Sequence, residues 1–87
     1  MSEPIRILYF AWLRERVGVA HEELPLPEGV ATVAALVDYL SGTDARHEAA
    51  FRDRQSVRCA VNQEFAEPAS AVRPGDEVGF FPPVTGG

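Results

Sequence analysis

Thr32-Val33-Ala34-Ala35-Leu36-Val37-Asp38-Tyr39-Leu40 is the stretch on which the fold turns. Val33, Leu36, Val37 and Leu40 recur at i, i+3, i+4 and i+7, which places them on one face of an α-helix. Thr32 offers a side-chain oxygen to a backbone N–H that the first helical turn leaves unpaired, so it reads as the N-cap. Gly42 suits the C-terminal stop. On both sides of this helix the apolar pattern is that of short strands. One amphipathic helix among strands must lay its apolar face on a sheet, which predicts an α+β arrangement.

Upstream, residues 5–13 are rich in aliphatic and aromatic side chains and read as a strand. Residues 14–18 read as a turn or a short helical turn closed by Gly18. Residues 22–26 form a second strand, with Leu24 and Leu26 on one face. Pro25 cannot donate to a ladder and marks that strand as an edge. Downstream, residues 44–51 predict a second, shorter helix with a weak apolar face of Ala45, Ala49 and Phe51. Residues 57–61 are a third strand, Asn62-Gln63 a turn, and residues 64–66 a short fourth strand. Arg73-Pro74-Gly75-Asp76 places proline before glycine, as a type II turn prefers. Residues 77–81 are the last strand.

Repeats, low-complexity tracts and linkers are absent. Residues 1–81 are expected to form a single domain, followed by an extended tail over residues 82–87. The simplest realisation is a β-grasp, or ubiquitin-like, roll: a mixed sheet of about five strands covered on one face by a helix. In it the first and last strands lie side by side and parallel at the centre.

Strand parity sharpens this. Side chains alternate between faces, so Ile5, Ile7, Tyr9 and Ala11 share one face and Arg6, Leu8, Phe10 and Trp12 the other. In the last strand Val78 and Phe80 oppose Glu77, Gly79 and Phe81. Arg6 and Glu77 mark the face away from the helix. Leu8, Phe10, Trp12 and Phe81 then lie outside the core, unless the short helix or the loop over residues 66–76 folds across them. That apolar area predicts a protein interface.

Composition narrows the function classes. The 87 residues are 46% hydrophobic, as a globular domain requires, and carry a net charge of −5. With no basic run, neither nucleic acid nor a membrane is expected as a partner. All eight cationic residues are arginine and none is lysine. The chain cannot be branched through its own lysines, and its expected free amine is the N-terminus. Cys59 is the sole cysteine, which excludes an internal disulfide or a cysteine cluster for a metal. Its strand setting predicts a small core residue. His21 and His47 have no motif around them and are expected at the surface or its boundary, so no metal site is expected. No stretch approaches the ~18 apolar residues of a membrane span, and residues 1–6 lack a signal-peptide pattern. A cytoplasmic protein is expected.

The chain ends Phe80-Phe81-Pro82-Pro83-Val84-Thr85-Gly86-Gly87. Pro82 and Pro83 fix φ and favour an extended path. At ~3.1–3.3 Å per residue, residues 82–87 reach roughly 19 Å past the last strand. Gly86 and Gly87 lack a Cβ, so they fit a narrow channel and leave the terminal carbonyl open to attack. The tail reads as an arm that presents a carboxylate in another protein's active site. The alternative is a frayed terminus.

Four segments together carry a family resemblance: this tail, the run from Ile7 to Glu15, the Ala60-Val61-Asn62-Gln63 turn and Pro74-Gly75-Asp76-Glu77-Val78. The chain resembles the small subunit of molybdopterin synthase, the MoaD family of ubiquitin-like sulfur carriers, over its whole length. The resemblance implies a non-catalytic, sulfur-donating subunit of a sulfurtransferase complex. It binds no cofactor itself. An E1-like adenylyltransferase uses ATP and Mg²⁺ to adenylate Gly87, and a sulfur donor then leaves a thiocarboxylate there. The tail of Pro82, Pro83, Val84, Thr85, Gly86 and Gly87 enters the large subunit, within a heterotetramer, and donates sulfur to the molybdopterin dithiolene. Phe10, Arg14 and Phe81 match partner-contacting positions, and Leu8 joins them by parity. The alternative is a sulfur carrier for thiamine, tRNA thiolation or cysteine synthesis, or a ubiquitin-like modifier.

Overall fold

A computed structural model describes residues 3–83. Of the expected tail, Val84, Thr85, Gly86 and Gly87 lie outside the described residues, and Pro82 and Pro83 lie within them. The elements run β1 (Ile5–Tyr9), α1 (Ala11–Val17), β2 (His21–Leu24), α2 (Val33–Ser41), α3 (Ala45–Phe51), a 3₁₀ turn (Arg54–Ser56), β3 (Arg58–Val61), β4 (Glu64–Ala66) and β5 (Glu77–Phe81). The strands form one mixed sheet in the order β2-β1-β5-β3-β4. β1 and β5 run parallel, with Leu8 beside Gly79, and the other pairs are antiparallel. This is the β-grasp arrangement, with β2 at an edge as expected, although the strand ends at Leu24, before Pro25 and Leu26.

The core lies between the sheet's inner face and α2. Ile5, Ile7 and Tyr9 of β1 join Val78 and Phe80 of β5 and Cys59 of β3. Val33, Leu36, Val37 and Leu40 of α2 cover them, all four buried. The Thr32 hydroxyl accepts the Ala35 N–H at 3.2 Å, so the helix starts where its cap residue directs. The 66–76 loop belongs to this inner side. The Val33 N–H donates to the Ser70 carbonyl at 3.0 Å and the Val72 N–H to the Ala31 carbonyl at 3.0 Å, with Val72 buried.

Three sequence expectations are corrected. The strand predicted over residues 5–13 stops at Tyr9, and Ala11 to Val17 is helical. Ala11 has φ +54°, the left-handed region, so the chain turns sharply after Phe10. From that point the period is helical. Leu13 and Val17, four apart, are buried, while Arg14, Glu15 and Arg16 are exposed. Trp12 therefore does not extend the β1 alternation. It is half-buried on α1, with the Arg16 guanidinium carbon 4.5 Å from its ring centre.

The short helix α3 also has a stronger apolar face than expected. Ala50 and Phe51 are buried, and the Phe51 ring meets Phe80 edge-on at 4.9 Å. One aromatic per two turns suffices here because it enters the centre of the core. Finally, His47 is buried rather than at the surface. His21 is exposed, as expected.

Candidate functional site

The ladder registers place one residue from each strand in a row across the sheet's outer face. His21 is beside Leu8, Leu8 beside Gly79, Gly79 beside Ala60, and Ala60 beside Phe65. Phe81 lies two residues along β5 from Gly79, on the same face, and pairs in register with Arg58. Phe10 follows β1 and is held by its N–H to the Phe80 carbonyl at 3.1 Å. Its ring lies over Gly79: a Cβ there would sit 3.3 Å from Phe10 Cε2. Glycine at 79 thus makes the seat for an aromatic ring on an otherwise flat strand.

The result is a continuous apolar surface of Leu8, Phe10, Ala60, Phe65 and Phe81 at the end of β5 from which Pro82 and Pro83 leave. Phe10 is 48% exposed and Phe65 86% exposed. Leu8 and Phe81 are half-buried, and the Phe65 and Phe81 rings stand 6.0 Å apart. Charged residues rim the far end of the face, where Arg6 lies between Glu23 and Glu77. An apolar centre with a charged rim is the anatomy of a protein interface.

Leu8, Phe10 and Phe81 are brought together as parity required. Arg14 is exposed on the last turn of α1, and its side chain makes no ion pair among the described residues. Phe65 is the residue that sequence reasoning passed over. Its signal was present. Asn62 and Gln63 both have positive φ, 51° and 70°, the conformation of a tight two-residue hairpin turn. Such a turn sets Val61 opposite Glu64 and Ala60 opposite Phe65, which puts Phe65 on the outer face. Asn62 is itself tied to β5: its Oδ1 accepts the Glu77 N–H at 3.0 Å, and its Nδ2 donates to Asp76 at 3.1 Å.

The inner side holds the titratable groups. His47 Nε2 stands 2.8 Å from Glu22 Oε2, and Nδ1 stands 2.8 Å from Asp44 Oδ1. Carboxylates accept and do not donate, so the ring that satisfies both is the imidazolium, donating from each nitrogen. The Tyr9 hydroxyl donates to the same Glu22 Oε2 at 2.7 Å. Burial pulls the His47 pKa down, but the hydrogen bonds and charges of Glu22 and Asp44 outweigh it and hold it above the ordinary value. Asp44 is lowered, first by the His47 backbone N–H and then by its ring. Burial, then Glu22, pushes the Tyr9 phenol far up. The network joins β1, β2 and α3, which makes it a structural clamp.

Cys59 is buried on the inner face, where desolvation raises its thiol pKa and leaves it a poor nucleophile. A cleft of about 470 Å³ between α2 and β3, lined by Val33, Val37, Val57, Cys59, Pro68 and Phe80 among others, also opens on that side. Among the described residues no group of three or more His, Cys, Asp or Glu is placed to hold a metal ion, and no helix is long and apolar enough to cross a membrane.

Residues 7–87 match the ThiS family. The molybdopterin synthase sulfur carrier subunit of Haemophilus influenzae is 36% identical over 95% of this chain and 99% of its own length. That of Escherichia coli is 39% identical with the same coverage. Among solved structures, small archaeal modifier protein 1 of Haloferax volcanii superposes with a TM-score of 0.73 at 27% identity, over 94% of this chain and 99% of the other. The chain belongs to the ThiS family, among the molybdopterin synthase sulfur carrier subunits, and has their ubiquitin-like β-grasp fold.

Proposed function

We propose that the chain carries sulfur as a thiocarboxylate on Gly87. A carboxylate is a poor electrophile, because its charge is delocalised and oxide is a poor leaving group. An E1-like adenylyltransferase overcomes this: the Gly87 carboxylate attacks the α-phosphorus of Mg²⁺-bound ATP, pyrophosphate leaves, and an acyl adenylate forms. A sulfur nucleophile then displaces AMP. The thiocarboxylate sulfur attacks the pterin precursor in the large subunit of molybdopterin synthase, within a heterotetramer; water then cleaves the bond between that sulfur and the Gly87 carbonyl, returning the carboxylate, and two such transfers supply a dithiolene. The catalytic groups belong to the partners, and this chain contributes held sulfur and its delivery.

The observation that carries this reading is the outer face. Leu8, Phe10, Phe65 and Phe81 lie at the root of the Gly-Gly tail, so a partner that covers them also receives the tail. The family match running to residue 87 supports the chemistry at the tail. The test is the intact mass after incubation with the activating enzyme, ATP and sulfide. The expected gain equals one oxygen exchanged for sulfur on the C-terminal peptide, and Cys59→Ser accepts it equally. Sulfur found on Cys59 instead would sink the mechanism.

The likeness to small archaeal modifier protein 1 favours a second reading, in which activated Gly87 is passed to an amine of another protein. Amide-linked adducts on a partner, with ATP present and sulfide absent, would support it.

A further inference from the structure

The eight cationic side chains, Arg6, Arg14, Arg16, Arg46, Arg52, Arg54, Arg58 and Arg73, are all arginine, and all eight are exposed. Exposed cations are where lysine ordinarily serves as well as arginine. Arginine is structurally required where its planar fork is engaged. Arg52 grips both oxygens of Glu48, with contacts of 3.0 to 3.2 Å, and Arg54 pairs with Asp38 at 2.5 Å. Arg16 lays its guanidinium over the Trp12 ring, a stacked site that suits arginine, and Arg58 donates once to the Gln55 carbonyl, which an ammonium could also do. Arg6, Arg14, Arg46 and Arg73 make no side-chain hydrogen bond or ion pair among the described residues. At five of the eight positions, Arg6, Arg14, Arg46, Arg58 and Arg73, the fold therefore gives no reason to exclude lysine.

The reason lies in the chemistry proposed for Gly87. In an acyl adenylate or thioester, the lone pair of a free amine attacks the carbonyl carbon. The bond to the leaving group breaks, AMP or thiol departs with the electron pair, and the nitrogen loses a proton to leave an amide. A lysine with pKa ~10.4 is about 0.1% free amine near pH 7.4. A guanidinium, with pKa above ~12, offers essentially none. An amine on the same chain is tethered, and short tethers create effective concentrations of about millimolar. Arg58 pairs in register with Phe81, the last residue of β5 before the tail.

We propose that the lysine-free surface is a chemical safeguard: it leaves an activated Gly87 no side-chain amine on its own chain, so the acyl group passes to a sulfur donor or to a separate acceptor. This rests on the reading of Gly87 as an activated carboxylate, but its test is independent of any activating enzyme. The full chain is prepared with Gly87 as an alkyl thioester by intein cleavage and held at about pH 8.5, where roughly 1% of lysine amines are free. Intact mass and peptide mapping follow hydrolysis and side-chain amide formation. The chain as it stands should hydrolyse without forming a side-chain amide. Arg58→Lys should lose its thioester about threefold faster or more, as a product one water lighter than the hydrolysed chain and linked at residue 58. Arg73→Lys, before the opposite end of β5, should do so less. An eightfold Arg→Lys chain should also show covalent dimers. The proposal is overturned if the unaltered chain forms side-chain amides, or if neither Arg58→Lys nor the eightfold variant forms them faster. Pyrophosphate exchange with the activating enzyme, measured separately, reports on the adenylation reading alone.

Discussion

Phe80 and Phe81 are neighbours on β5, yet they belong to two different surfaces. Phe80 points inward, 1% exposed, with Tyr9 stacked on it at 6.2 Å and Phe51 edge-on. Phe81 points outward and meets Phe65 across the sheet. The inner face is closed by helices and its apolar area stabilises the fold. The outer face has similar chemistry but no covering element among the described residues, so its apolar area is available for binding. The same residue type thus serves folding or recognition according to parity alone.

The sharpest way to break this comparison is to truncate each ring. Phe80→Ala should cost about 3–5 kcal/mol in folding, through lost burial and the cavity left behind. That is a large share of the ~5–15 kcal/mol expected for a domain. Denaturant unfolding measures it, and a loss below ~1 kcal/mol would mean the inner face is not the core.

Phe81→Ala should behave oppositely. Truncating an aromatic anchor at an interface centre costs ~2 kcal/mol or more, about thirtyfold in affinity. Folding should change by less than ~1 kcal/mol, since Phe81 is already partly in water. Phe65→Ala should follow Phe81→Ala, because Phe65 is the more exposed of the pair. The measurement is calorimetric titration against the large subunit, with thermal unfolding alongside. Unchanged affinity in both variants would remove the outer face from the proposed interface.

The smallest effect concerns the clamp that ties α3 to the sheet edge. His47 is raised in the fold, so its contribution is fully present below its unfolded value near 6.5 and is lost as pH rises through the folded value. Asp44 is lowered, so its contribution holds above ~3.9 and is lost as pH falls through the folded value. Stability should therefore be greatest between about pH 4 and 6.5 and decline as pH rises through the folded His47 value. Tyr9, raised above its ordinary value, adds to this decline only near pH 10 and beyond. His47→Gln should cost about 1–2 kcal/mol at pH 6 and less at pH 9, flattening the alkaline slope. A variant that keeps the full slope would assign it to other groups.

Much of this was legible along the chain. The i, i+3, i+4, i+7 pattern of Val33, Leu36, Val37 and Leu40 named the helix and its buried face correctly. Alternation placed Ile5, Ile7 and Tyr9 inside and Leu8 and Phe10 outside. The misreadings have two causes. Residues 5–13 are apolar almost throughout, and a continuous apolar run does not say where period 2 becomes period 3.6. The switch was marked instead by Leu13, Val17 and the left-handed cap at Gly18. His47 and Phe51 were undervalued because a short helix shows too few residues to reveal a face.

Local chemistry by itself determined most of the elements, the Thr32 cap and the Asn62-Gln63 turn, and the parity of the strands, because these depend on neighbours a few residues away; the switch from β1 to α1 escaped it. The Gly-Gly ending and the absence of lysine are likewise properties of the chain alone. Tertiary structure decided the rest. Glu22 and His47 are 25 residues apart, and their hydrogen bond exists because β2 and α3 meet at one edge of the sheet. Leu8, Gly79, Ala60 and Phe65 become one surface because β5 inserts between β1 and β3. Long-range pairing of that kind carries no local signal. It follows from burying the inner apolar face of every strand under one helix layer, and the outer apolar face is what that burial leaves uncovered.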